Sequence, residues 1–297
     1  MADLVPFDAR EGKIWYDGKL VDWQDAKLHV LSHGLHYASA VFEGERSYGG
    51  HIFKVREHGE RLHRSADILG FKIPYSVETL ENARYEVMKA NDIVDGYIRP
   101  IAWRGSEMMG VSAQHNTIHV AIAAWPWPSY FSPEARQRGI KLAISEWRRP
   151  SPDTAPTKSK AAGLYMICTL SKHKAEQSGF DDALMYDHRG FVAEATGANI
   201  FMAQEGKLHT PTPDCFLDGI TRRTVIELAK RRGIEVIERH LDESDVAKAD
   251  EVFITGTAAE VTPVGRIGDN HYQVGSLTNR MMDDYQAEVR KASAQAA

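Results

Sequence analysis

The sequence lacks most of what marks a specialised class of protein. It has two cysteines, Cys168 and Cys215, in 297 residues. They are far apart and form no C-x-x-C pair, which excludes a disulfide scaffold or a zinc knuckle and predicts two reduced, buried thiols. The longest apolar stretch, near 120–127, falls far short of the roughly 20 residues a membrane span needs. The opening residues, MADLVPFDAREG, have no basic n-region and no apolar h-region, so no signal peptide is expected and the expected address is cytoplasmic. Neither sign of charge dominates: 36 Lys and Arg stand against 41 Asp and Glu, a net charge of −5. That balance gives no reason to expect a nucleic-acid or membrane-surface partner. No G-x-G-x-x-G follows a strand, no G-x-x-x-x-G-K-[ST] occurs, and H-E-x-x-H is missing. A nicotinamide Rossmann site, a P-loop and a metalloprotease-type zinc site are therefore unsupported. His29, His33 and His36 cluster without metal-ligand spacing and read as structural, so no metal is expected.

What is present is ordinary in bulk: 43% hydrophobic and 26% charged residues, enough apolar side chain for a real core. At roughly 150 residues per domain, the length allows one large domain or two modest ones. Residues 13–21 read as a hairpin around Asp17-Gly18, and 38–54 as a second around Gly49-Gly50. Helices are expected at 57–69 and 76–90, the second capped by Ser76, and strands at 97–104 and 117–124. Three prolines then fall within 125–133, which a central strand cannot accommodate. The chain is therefore divided into a small N-terminal domain (1–131), a linker (132–139) and a larger C-terminal domain (140–297). In the second, strands are expected at 140–146, 183–186, 199–203, 235–239 and 251–255, with helices at 164–177, 221–232 and 278–294. The fold class is mixed, α/β or α+β.

Four features of the second half combine. Lys160 lies in a loop just before a helix, with Lys158 as its rival. Glu194 leads a small-residue turn, EATGAN, that runs into a strand, with Gly197 and Asn199 holding the bend. Asp218-Gly-Ile-Thr221 opens a helix, where free N–H groups and the dipole suit an anion. Thr255-Gly-Thr-Ala-Ala-Glu260 follows a strand and lets backbone approach a ligand closely. An amine, a lone carboxylate and two loops rich in N–H and hydroxyl groups are the parts a pyridoxal phosphate site needs.

Seven strings occur in order along the chain: HYASAVFEGERSY, EHGERLHRSA, YIRP, KAAGLY, EATGANIF, DGITRRT and ITGTAAEVTPV. On these the sequence resembles the branched-chain amino acid aminotransferases, of the fold-type IV (class IV) pyridoxal phosphate family. The resemblance covers nearly the whole chain. It implies a fold-type IV enzyme of two mixed α/β domains with the active site between them. It also selects Lys160, in K-x-x-G-x-Y, as the Schiff-base lysine. By the same resemblance Tyr165 meets the phenolic oxygen of the cofactor, and Glu194 its pyridine nitrogen. The phosphate falls to Arg61, to Gly219, Ile220 and Thr221, and to Gly256 and Thr257.

For the substrate, the resemblance offers Tyr37, Phe42, Trp127, Tyr130 and Tyr165 as apolar walls and Arg99 for a glutamate side-chain carboxylate. Tyr97 and the Thr257-Ala258 backbone take the α-carboxylate. The Tyr97-Ile-Arg99 alternation puts both polar side chains on one face of a strand. The implied reaction is ping-pong transfer of the amino group of leucine, isoleucine or valine to 2-oxoglutarate, in a homodimer or hexamer. Two departures stand out. Ala195 and Ala198 alter the family's E-G-x-G-x-N turn, and Asp218, where proline is frequent, brings negative charge to the presumed phosphate loop. A D-amino acid or (R)-amine transaminase, an aminodeoxychorismate lyase and a non-catalytic pyridoxal phosphate carrier are the rival readings on this scaffold.

Overall fold

The computed structural model describes residues 5–127 and 133–291. It divides into two compact units: Met1–Pro128 with Ser159–Gly163, and Ser129–Lys158 with Leu164–Ala297.

The first unit is a twisted sheet backed by helices. Its strands are β1 (Lys13–Tyr16), β2 (Lys19–Asp22), β3 (Ala40–Phe42), β4 (Glu45–Tyr48), β5 (His51–Ile52), β6 (Gly96–Arg104) and β7 (Ile118–Pro126). They run in the order β2-β1-β7-β6-β4-β5, with β3 also on β6. The β1–β2 hairpin turns where the sequence predicts. Asp17 and Gly18 both have positive φ, 46° and 95°, as a two-residue hairpin turn requires. The expected strand across 38–48 is broken in two: β3 and β4 both pair with β6, and Glu43 and Gly44 between them face Arg99 and Pro100. Pro100 has no N–H to contribute to a ladder.

Three helices complete this unit: α1 (His33–Tyr37), α2 (Val55–Ile68) and α3 (Val77–Ala90). The Ser76 side chain caps α3 by accepting from the Thr79 N–H. Leu80, Val87 and Met88 of α3 are buried in one core with Leu62, Ile98, Val120 and Ile122.

The second unit carries α4 (Pro133–Arg138), β8 (Ile140–Ile144), α5 (Met166–Gln177), β9 (Asp182–Tyr186), β10 (Val192–Ala195), β11 (Asn199–Gln204), β12 (Lys207–Thr210) and α6 (Ile220–Arg231). There follow β13 (Val236–Glu238), α7 (Glu243–Lys248), β14 (Glu251–Gly256), β15 (Glu260–Ile267), β16 (Asn270–His271) and α8 (Ser276–Val289). The sheet order is β10-β9-β8-β15-β14-β11-β12-β13, and β10 also pairs with β11. That extra pairing closes β10, β9, β8, β15, β14 and β11 into a ring, which leaves none of these strands a bare edge. Ile140, Leu184, Ile200, Met202, Ile254 and Val264 fill its core.

Six described elements of this unit have no counterpart in the sequence reading: α4, β10, β12, α7, β15 and β16. β15 is the instructive one. It contains Pro263 and Gly265, both unfavourable in strands, yet it is the bridge between β14 and β8. Gly265 is required there, because a Cβ would lie 2.3 Å from the Arg138 carbonyl oxygen. The expected linker 132–139 contains α4. Among the described residues no helix is long and apolar enough to cross a membrane. Cys168 and Cys215 are free and buried.

Ser159–Gly163 belongs with the first unit, although its neighbours in sequence lie in the second. Hydrogen bonding explains it. Lys160 O accepts from Phe42 N at 3.2 Å, and Ala161 forms an antiparallel bridge with Val41. Ser159 Oγ donates to Ser65 O at 2.9 Å, and Lys160 N to Ser65 Oγ at 3.0 Å.

Candidate active site

In the first unit the structure gathers six of the expected residues: Phe42, Arg61, Tyr97, Arg99, Trp127 and Lys160. Phe42, at the end of β3, presents its ring to two cations. Lys160 Nζ lies 4.8 Å from the ring centroid and the Arg99 guanidinium 4.9 Å. Arg99 Nη2 donates to the Tyr97 hydroxyl at 3.1 Å, and its buried Nε has no hydrogen-bond partner among the described residues. The two side chains share a face of β6, as the alternation predicts. Burial of the Lys160 amine, followed by the charge of Arg61, pulls its pKa down to about 8, with Arg99 adding to the effect. Lys158, by contrast, is exposed.

Tyr97 is buried and packs on Trp125 and Trp127, with ring centroids 5.3 and 5.4 Å away. Its hydroxyl reaches over Gly44, where a Cβ would sit only 1.9 Å from it. Arg61, on α2, is buried and bound by both Glu43 oxygens, Nε at 2.6 Å and Nη2 at 2.7 Å. His58 Nδ1 lies 2.7 Å from the same carboxylate. Tyr37 stands apart: it is 45% exposed at the end of α1, stacked on His33. Tyr130 lies outside the described residues.

In the second unit three of the quoted strings converge. The EATGAN turn is a tight hairpin, with Ala195 N bonded to Ala198 O and Glu194 paired to Asn199 across it. Glu194 is buried; Arg149 Nε stands 3.4 Å from its Oε1, and Asn199 Nδ2 donates to Oε2 at 3.2 Å. Gly219 N donates to Asn199 Oδ1 at 3.1 Å. Helix α6 begins at Ile220 with Gly219 as N-cap and no side chain capping it. The helix expected over 221–232 starts one residue earlier, so Thr221 is its second residue. An uncapped twelve-residue helix presents the N–H groups of Ile220 and Thr221 to an anion.

The third string, after β14, is tied in through glycine. A Cβ on Gly256 would lie 3.3 Å from Gly197 O. Thr255 pairs with Asn199 across β14 and β11, and its buried hydroxyl has no partner among the described residues. Thr257 and Ala258 follow in a half-buried turn, and Tyr165 is half-buried just before α5. Asp218 is turned to its own helix: Oδ1 accepts from Arg222 Nη1 at 2.9 Å, and Arg223 stands 3.9 Å from Oδ2. Its charge is therefore met by two cations of α6.

Several residues here escaped the sequence reading. Glu43 and His58 lie inside the quoted strings FEGER and EHGER but carried no role. Arg149 had no motif at all. Its signal was indirect, since a buried Glu194 demands a nearby cation. Arg149 Nη1 also donates to Leu164 O and Cys168 Sγ, each at 3.3 Å. Burial pushes the Cys168 thiol up to about 11, so Arg149 is not matched by a thiolate there.

Comparison with known proteins places these features in a family. The family described as Amino-transferase class IV matches residues 40–267. The chain is 43% identical over 262 residues to the branched-chain-amino-acid aminotransferase of Pseudomonas aeruginosa, covering 87% of this chain and 85% of that protein. Among solved structures, the Escherichia coli branched-chain amino acid aminotransferase superposes with a TM-score of 0.90 at 39% identity, covering 94% of both chains. The enzyme of Thermobaculum terrenum in its PLP-form superposes with a TM-score of 0.85 at 30% identity, again covering 94% of both. The chain belongs to the class IV aminotransferase family.

Proposed function

We propose that this protein is a branched-chain L-amino acid aminotransferase that uses pyridoxal phosphate to move amino groups between leucine, isoleucine or valine and 2-oxoglutarate. The observation that carries the reading is the surroundings of the Lys160 amine. An apolar ring, Phe42, and a cation with an unspent buried donor, Arg99, stand together beside it. A branched aliphatic side chain needs the ring; a glutamate carboxylate needs the cation.

The chemistry of the donor set suits the cofactor: Lys160 would hold its aldehyde carbon, Glu194 would take the pyridine nitrogen and Tyr165 the phenolic oxygen. The start of α6 from Gly219 to Thr221, with Gly256 and Thr257, would hold the phosphate, and Arg61 is the cation the first unit would add. Bound there, pyridoxal phosphate supplies an electron sink for breaking a Cα–H bond. Lys160 Nζ is the base that takes the Cα proton, and to do so it must be neutral. With a pKa of about 8, about a tenth of the amine is neutral at pH 7, against well under a thousandth at the ordinary lysine value. Arg99 and Tyr97 orient the substrate carboxylates, and Phe42 and Trp127 shed water from its side chain.

The partners are small amino and oxo acids in the cytoplasm. Copies of the chain associate as a homodimer or hexamer through an apolar surface of the first unit. Leu28, Val30, Leu31, Leu35 and Val111 of that unit are 45–88% exposed, and burying such side chains against a second copy favours association. The test is to offer L-leucine and D-alanine separately, each with 2-oxoglutarate. Glutamate formation from L-leucine is expected; turnover of D-alanine alone overturns the assignment.

A further inference from the structure

Glu194 and the start of α6 are assigned above to opposite ends of the cofactor, and one side chain is bonded to both. Asn199 is 5% exposed, at the first position of β11. Its Nδ2 donates to Glu194 Oε2 at 3.2 Å and to Leu217 O at 3.0 Å. Its Oδ1 accepts from Gly219 N at 3.1 Å. Leu217 and Gly219 are the last turns of backbone before α6, whose first two residues are Ile220 and Thr221. The approach is close enough that a Cβ on Gly219 would fall 2.2 Å from Asn199 Oδ1. A planar carboxamide with both donors and its acceptor spent has no freedom to rotate.

We propose that Asn199 is a positioning residue that fixes Glu194 and the N terminus of α6 relative to one another, so that the ring-nitrogen and phosphate ends of the site are set by a single amide. It touches no reacting atom in this role. The inference rests on the assignment of Glu194 and α6 under the proposed function. Its content is geometric. Moving the carboxamide moves the carboxylate and the helix entry together, and the two effects separate chemically because the donor and acceptor lie on different atoms.

The experiment titrates cofactor-free protein with pyridoxal phosphate and, separately, with pyridoxal, which keeps the ring and aldehyde but lacks the phosphate. Affinity for pyridoxal reads the ring end; the ratio of the two affinities reads the phosphate end. Asn199→Asp keeps an acceptor for the Gly219 N–H, the bond nearest the start of α6, but loses the donors to Glu194 and to Leu217 O. It is expected to weaken pyridoxal binding about tenfold or more while leaving the ratio within about threefold. Asn199→Leu loses the acceptor as well and is expected to lower the ratio a further fivefold to tenfold or so. Gly219→Ala, which displaces the carboxamide from the other side with Asn199 intact, is expected to lower the ratio similarly and keeps the test open if Asn199→Leu does not fold. If Asn199→Asp lowers the ratio as much as Asn199→Leu, or if no variant moves either quantity, the coupling is refuted. Glu194→Gln separates the two levels. If it leaves pyridoxal binding and its visible absorption band unchanged, the assignment of Glu194 fails. If it weakens pyridoxal binding but Asn199→Asp does not, only the positioning role fails.

Discussion

Glu43→Gln is the sharpest probe of the first unit. Glu43 has no exposed surface, and it holds Arg61 through two bonds of 2.6 and 2.7 Å and His58 through a third of 2.7 Å. Burial by itself would raise its pKa. The charge and hydrogen bonds of Arg61, with those of His58, outweigh burial and hold the carboxyl well below the usual carboxylate range. Glutamine removes the charge and turns an N–H group toward other donors, leaving the Arg61 cation buried without its counter-ion. Breaking a buried pair in this way costs about 3–5 kcal/mol. At about 2–4 °C per kcal/mol, the melting temperature of cofactor-free protein should fall by about 6–20 °C, read by calorimetry.

Removing both charges should cost less than removing one. Glu43→Leu/Arg61→Met is expected to regain at least half of what Glu43→Leu alone loses. The pH dependence has a definite sign. A carboxyl whose folded pKa is depressed contributes stability above its unfolded value, about 4.3, and loses it as pH falls through the acid range. The native protein should therefore lose more stability than Glu43→Gln below that pH. A melting shift under about 3 °C for the single variant, or a double variant no better than Glu43→Leu, would refute the reasoning.

Three other outcomes follow from the same geometry. Lys160→Ala should abolish turnover and the visible band of the loaded enzyme, whereas Lys158→Ala, at an exposed position, should keep both; activity in Lys160→Ala sinks the mechanism. Because the Lys160 pKa is lowered to about 8, the neutral amine appears as pH rises through that value. Borohydride trapping of an added aldehyde at Lys160 should rise with a midpoint near it, and a midpoint near the ordinary lysine value of about 10.4 contradicts the assigned environment. Gly44→Ala puts a Cβ 1.9 Å from the Tyr97 hydroxyl, which must move and release Arg99. KM for 2-oxoglutarate should rise about tenfold with a smaller change in kcat; an unchanged KM removes Tyr97 and Arg99 from carboxylate recognition.

What the sequence made legible follows from local signals. Asp17-Gly18, Ser76 and the Tyr97-Ile-Arg99 alternation each state a turn, a cap or a face within a few residues, and the structure agrees with each. The strings around Lys160, Glu194 and Asp218 showed the chemistry because their small residues and polar groups are close in sequence. What stayed hidden depends on partners far along the chain. β15 looks unlike a strand because Pro263 and Gly265 answer to β14, β8 and the Arg138 carbonyl rather than to their neighbours. Arg149 gains its meaning only from Glu194, 45 positions later, and Glu43 from a helix that begins at Val55.

The assignment of Ser159–Gly163 to the first unit has a consequence for how the protein is made. A ribosome that has finished residue 128 has supplied every strand of the first sheet but not the segment that bridges Val41 and bonds to Ser65. At roughly 5–20 residues per second, that segment follows about 2–7 s later. Throughout this interval the nascent first unit is one clip short, with Val41 and the Ser65 carbonyl awaiting their partners. The order of translation thus makes the lysine-bearing loop the last piece of the first unit to arrive, so the amine takes its place on a scaffold already laid down.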